Sequence, residues 1–98
     1  MQNQVISPED MAQWLRGLIA APDVNISYTN KAGDQMHKLQ IDLLDIIFVL
    51  GRCTEIAQDY TGNCFTVRGD TIDSIRVAIV VSPKNEKNRI KVVKVWKV

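Results

Sequence analysis

Ile41-Asp42-Leu43-Leu44-Asp45-Ile46-Ile47-Phe48-Val49-Leu50-Gly51 is the stretch whose reading decides the fold. Eight of the ten positions from 41 to 50 are apolar. That is too many for one amphipathic stripe, so the helix this run predicts needs cover on most of its sides. A sheet on one flank and a second helix on the other would supply it. Asp42 is placed to cap the helix, Asp45 lies in its first turn at the positive end of the dipole, and Gly51 reads as a left-handed cap.

Downstream, two strand-like runs at 54–60 and 63–69 flank Thr61-Gly62, and a third at 75–82 is the most hydrophobic. With Thr61-Gly62 as a two-residue hairpin loop, Tyr60 faces Asn63, Gln58 faces Phe65 and Ile56 faces Val67. On the other face Asp59 meets Cys64, Ala57 meets Thr66 and Glu55 meets Arg68. The Ile56, Phe65 and Val67 face should pack on the helices, leaving Glu55, Asp59, Thr66 and Arg68 outside. Ile75, Val77, Ile79 and Val81 alternate with Arg76, Ala78 and Val80, and apolar residues on both faces mark a central strand. After the turn-rich residues 83–88, residues 90–98 close the chain as a strand. Simple alternation puts Ile90, Val92, Lys94 and Trp96 on one face and Lys91, Val93, Val95 and Lys97 on the other, so neither is cleanly apolar. A mixed face on a terminal strand leaves room for a homodimer contact.

Upstream, Ser7-Pro8-Glu9-Asp10 starts a helix over about residues 8–20, with Met11, Trp14, Leu15 and Leu18 on one face and Pro22 beyond its end. Residues 24–28 alternate like a short strand, and residues 30–39 read as a helix despite Gly33. The expectation is one α+β domain over 1–98. Its antiparallel sheet has about four strands, with a short N-terminal strand in addition, packed on two or three helices.

Hydrophobic residues make up 46% of the 98 positions and charged ones 23%, which places the chain among ordinary globular domains. The longest apolar run is about half a membrane span, and the opening residues carry no signal-like pattern, so the expected location is cytoplasmic with no membrane contact. Cys53, Cys64 and one histidine offer no metal-spaced cluster, so no metal or cofactor is expected and the thiols read as reduced. Residues 1–83 carry six basic and ten acidic side chains, whereas 84–98 carry six basic and one acidic, nets of −4 and +5. Such a basic edge suits a polyanion or an acidic partner, and equally keeps an exposed strand from pairing with other chains.

Pattern alone gives little chemistry: no phosphate loop and no nucleophile elbow. His37 is a candidate general acid or base, histidine being the side chain that exchanges protons near neutrality, though a lone histidine is more often structural or simply exposed. Glu55 with Arg68 is either a base and electrophile pair or a stabilising cross-strand ion pair.

Ala32-Gly33-Asp34-Gln35-Met36, then residues 41–50, then Tyr60-Thr61-Gly62-Asn63-Cys64-Phe65-Thr66-Val67-Arg68-Gly69, residues 75–81 and Val92-Val93-Lys94-Val95-Trp96 together resemble the bacterial domain of unknown function 4258 family. The resemblance spans about residues 28–97, with the first helix an addition. That family is itself similar to the RelE-like and BrnT-like toxins, small α+β proteins whose sheet cradles RNA and which a cognate antitoxin neutralises. The resemblance implies a metal-independent ribonuclease that cleaves by attack of the ribose 2′-hydroxyl. Such a site needs a base, a cation for the developing phosphate charge and an acid. The family's own proton-transfer residues are missing from their places; the catalytic set that remains for this chemistry is Lys31, His37, Arg68 and Lys94, with Arg68 and Lys94 on the phosphate and Lys31 or His37, the latter displaced along the helix, moving protons. Arg76, Lys91 and Lys97 are the implied RNA-binding cations. Lys31 stands where the family has histidine, Gln35 and Leu39 where it has arginine, and Lys94 where it has threonine. Implied partners are RNA, an antitoxin-like protein, or both. The alternative is a catalytically silent protein- or RNA-binding module, such as an accessory protein of a mobile element; a plain structural module is the third reading.

Overall fold

The computed structural model describes residues 8–20, 24–52, 55–58, 64–84 and 89–98. Among them the chain is α+β, with three helices and a five-stranded mixed sheet. In chain order these are α1 (Pro8–Ala20), β1 (Asn25–Tyr28), α2 (Asn30–Leu39), α3 (Leu43–Gly51), β2 (Glu55–Gln58), β3 (Phe65–Asp70), β4 (Arg76–Lys84) and β5 (Arg89–Lys97). The strand order across the sheet is β1-β5-β4-β3-β2.

The apolar run at 41–50 behaves as its composition demands. Asp42 and Asp45 close a reciprocal capping box, the Asp45 N–H donating to Asp42 Oδ1 and the Asp42 N–H to Asp45 Oδ2, both at 3.1 Å. Ile46, Val49 and Leu50 are buried between α1 and β3. Gly69 on β3 lets the helix come close: a Cβ there would lie 3.2 Å from Val49 Cγ1. Leu44 is the exception on this helix, 66% exposed. The left-handed cap expected at Gly51 is absent, since Gly51 is helical and Arg52 caps it with φ −125°. Such a cap closes α2 instead, at Gln40 with φ 56°. There the Gln40 N–H donates to the His37 carbonyl at 3.1 Å and the Ile41 N–H to the Met36 carbonyl at 3.0 Å. Buried Ile41 supplies the apolar contact that goes with this ending.

The β2–β3 register is the one the hairpin arithmetic predicts: Glu55 pairs with Arg68, Ile56 with Val67, Ala57 with Thr66 and Gln58 with Phe65. The pairs Tyr60–Asn63 and Asp59–Cys64 and the loop itself lie outside the described residues, as do Ser7 and the side chains of Met11, Trp14 and Leu18. Leu15, on the same face of α1, is buried in the core. β4 is the central strand, with Val77, Ile79 and Val81 fully buried.

Two expectations are corrected. The sheet is not an antiparallel one of four strands: β2 to β5 are antiparallel, but β1 joins as a fifth strand parallel to β5. Alternation in residues 24–28 marks a strand without marking its partner or direction. Thr29 fixes the junction, its N–H donating to the Val92 carbonyl and its Oγ1 to the Val93 carbonyl, each at 3.0 Å. The same Oγ1 accepts from the Ala32 N–H and caps α2. β5 therefore lies inside the sheet, and β1 and β2 are its edges.

The second correction concerns the faces of β5. Val80 pairs with Lys94 but Val81 pairs with Val92, which leaves Val93 as an extra, bulged residue. The bulge shifts the alternation by one place. Ile90, Val92 and Val95 all turn toward the helices and are buried, while Arg89, Lys91, Lys94 and Trp96 turn away. The mixed faces of simple alternation become one apolar and one polar face.

Candidate functional site

All three helices pack on the side of the sheet that carries Ile56, Val67, Ile79 and Val95. Among the described residues the opposite side is left open. Partners in an antiparallel ladder share a face, so the register lists its occupants. One cross-strand row is Glu55, Arg68, Ala78 and Trp96; the next is Ala57, Thr66, Val80 and Lys94. Asp70 and Arg76 form a row at one end, and Ser27, Lys91 and Ser82 one toward the other. Asn25 and Arg89 lie beyond it.

Arg76 is already engaged on this face. Its Nη2 donates to Glu55 Oε1 in a hydrogen-bonded ion pair, and its Nη1 lies 3.6 Å from Asp70 Oδ1. Glu55 sits opposite Arg68 in the register, yet its carboxylate goes to Arg76 on the strand beyond. These side chains are about half exposed, so the pairs add little stability. They neutralise one arginine with the two described carboxylates of the face. Arg68, Lys94, Lys91 and Arg89 have no carboxylate within ion-pair distance among the described residues. Arg68 and Lys94 stand two strands and two residues apart, about 12 Å between backbones from sheet spacings. Two long side chains can close that gap on a shared anion. Along β5, Trp96, Lys94, Lys91 and Arg89 form a file of about 20 Å.

The structure thus brings together four of the seven residues the sequence singled out: Arg68, Arg76, Lys91 and Lys94. It does not bring the other three to them. Lys31 and His37 are exposed on α2, which packs on the far side of the sheet against β5 and β1. Lys97 pairs with Val77 and so also belongs to the helix-bearing side. α2 is held there by buried Ala32 and Met36 and by Gln35, whose Oε1 accepts from the Val95 N–H at 2.8 Å. That amide faces the side of β5 where β1 has already ended.

Two members of the open face escaped sequence reasoning, Arg89 and Trp96. The signal was present in the spacing of Ile90, Val92 and Val95, which slips from two to three just where a bulge restores the pattern. Among the described residues no three His, Cys, Asp or Glu side chains gather to hold a metal, and no helix is long and apolar enough to cross a membrane. No family model, no curated protein and no solved structure matches the chain.

Proposed function

We propose that the chain is an RNA-binding module, with the helix-free face of its sheet laid against the phosphate backbone. The observation that carries this reading is the set of four cations, Arg68, Lys94, Lys91 and Arg89, on one open face without carboxylates in ion-pair reach among the described residues. Polyanions bind such a surface chiefly by releasing the counterions they hold. The choice of RNA comes from the sequence resemblance to the domain of unknown function 4258 family alone; the mixed five-stranded sheet, with β1 parallel to β5, does not fit the RelE-like fold and lends that choice no support. A cognate antitoxin-like protein would cover the same face and compete there.

The binding reading is favoured over cleavage because Lys31 and His37 sit on the other side of the sheet from Arg68 and Lys94. Cleavage by 2′-hydroxyl attack would need a different base. One observation favours keeping it as the second reading: Glu55 places a carboxylate on the open face, in contact with Arg76 and in the same row as Arg68. Glu55 would be the base and the two arginines the phosphate clamp.

The deciding experiment titrates a labelled, unstructured RNA with the purified protein at several salt concentrations, then maps the RNA ends. Four phosphate contacts predict a log–log salt slope of about −3 for a single strand. Affinity that ignores salt, or that survives Arg68→Ala and Lys94→Ala together, refutes RNA binding at this face. Intact ends support the binding module. Cut ends that disappear in Glu55→Gln, with binding retained, would establish the ribonuclease instead.

A further inference from the structure

We infer that the RNA this face takes is single-stranded, with one unpaired base stacked on Trp96; the inference rests on the RNA-binding reading above. Trp96 is 39% exposed on the cation-bearing face, pointing away from the core that its neighbour Val95 joins. A scattered exposed apolar residue needs no explanation. This one stands at the head of a file of cations, and that placement gives it a use.

The row through Trp96 has a specific profile. Ala78 lies between Trp96 and Arg68, and although it is on the helix-free face its exposure is 0%. In the register an indole and a guanidinium thus stand on either side of its methyl group. Both are flat groups on which a nucleobase stacks, and stacking tolerates any base because every base has a π-face. Lys94 lies two residues before Trp96 on the same strand and face, about 7 Å away. It is placed for the phosphate next to the stacked base. Lys91 and Arg89 continue in line for the phosphates beyond.

A duplex does not fit this arrangement. Its bases are already stacked on one another, so along a duplex Trp96 would find no free base face to stack on. The deep, narrow major groove of double-stranded RNA also admits no sheet face. Stacking on Trp96 thus selects unpaired RNA, while the cations alone would hold either form.

The test compares a short unstructured RNA with a blunt RNA duplex of the same length at one salt concentration, by fluorescence anisotropy. Wild type should bind the single strand about tenfold or more tightly than the duplex. Trp96→Ala should weaken single-strand binding by about 5- to 100-fold and leave duplex binding unchanged. Trp96→Phe should keep most of the affinity. Urea midpoints of both variants control for folding, the side chain lying outside the core. Equal affinity for the two RNAs, or single-strand binding untouched by Trp96→Ala, overturns the inference. If the salt slope and the Arg68 dependence persist in that case, phosphate binding at this face stands without base stacking. If neither RNA binds even at low salt, the RNA reading falls and takes this one with it, whether or not an acidic protein binds instead.

Discussion

Removing a residue from the middle of an interior strand is normally ruinous, because every side chain beyond the cut changes face. β5 should be the exception at Val93, which has no partner on β4. With Val93 deleted, Val92 and Lys94 become consecutive, and they already pair with the consecutive residues Val81 and Val80. Ile90, Val92 and Val95 keep facing the helices, and Lys91, Lys94 and Trp96 keep facing away. The losses are the half-buried Val93 side chain, about 1 kcal/mol, and the Thr29 Oγ1 bond to its carbonyl, about 1 kcal/mol more. Deletion should therefore cost about 2 kcal/mol, which a domain of ordinary stability survives. Deletion of Val95 is the contrasting case. It removes a side chain that is 1% exposed, together with the amide that Gln35 binds. It also forces either Lys94 or Trp96 toward the core, at several kcal/mol more, so the chain should not fold. Urea denaturation followed by circular dichroism reads both variants, and the Val93 deletion should keep the wild-type denaturant slope. It should also keep RNA affinity within a small factor, since the cation file stays on one side. Equal damage from the two deletions, or a Val93 deletion that folds but no longer binds, would refute the phase argument.

Other substitutions probe other joints. Arg68→Ala and Lys94→Ala should each make the salt slope shallower by about 0.7, whereas Lys31→Ala, His37→Ala and Lys97→Ala should leave slope and affinity unchanged in the same titration. Gln35→Leu removes the acceptor of the Val95 N–H and should lower unfolding free energy by about 1–3 kcal/mol; Gln35→Glu keeps an acceptor and should cost less. Gln40→Gly should stabilise the protein by about 1 kcal/mol, because glycine holds the positive φ at the end of α2 without a Cβ clash. Chemical denaturation measures both.

What could be read from the sequence was whatever depended on neighbours along the chain. The crowding of apolar residues at 41–50 required cover on two sides, and α1 and β3 provide it. The Thr61-Gly62 spacing fixed the pairing of Glu55 with Arg68 and its companions because a hairpin is local. What escaped depended on distant parts. The direction of β1 is set by hydrogen bonds to Val92 and Val93, more than sixty positions away. The left-handed cap at Gln40 goes with α2 stopping where buried Ile41 enters the core. The candidate site divides the same way. Arg68 and Lys94 emerge together because each strand's outward phase was legible or recoverable. Lys31 and His37 were gathered with them only by resemblance, and a helix packed on the other side of the sheet separates them.

The bulge also ties the core to the binding face. Ile90, Val92 and Val95 cannot all point inward from an unbroken alternation, and an even phase that buries the first two would bury Lys94 as well. Leaving an ammonium in an apolar core without a partner costs far more than one irregular residue. Hydrophobic spacing alone therefore demands the slip, and the shared outward phase of Lys91, Lys94 and Trp96 follows from it. If so, the cations and the indole are passengers on a backbone fixed by other residues. A chain carrying Lys91→Thr, Lys94→Thr and Trp96→Thr together should then still unfold cooperatively, at a urea midpoint lowered only by the lost cover of the Trp96 side chain, while losing RNA binding. Loss of cooperative unfolding in that triple variant would mean that the outward side chains help to set the slip, and that core and binding face are not separable.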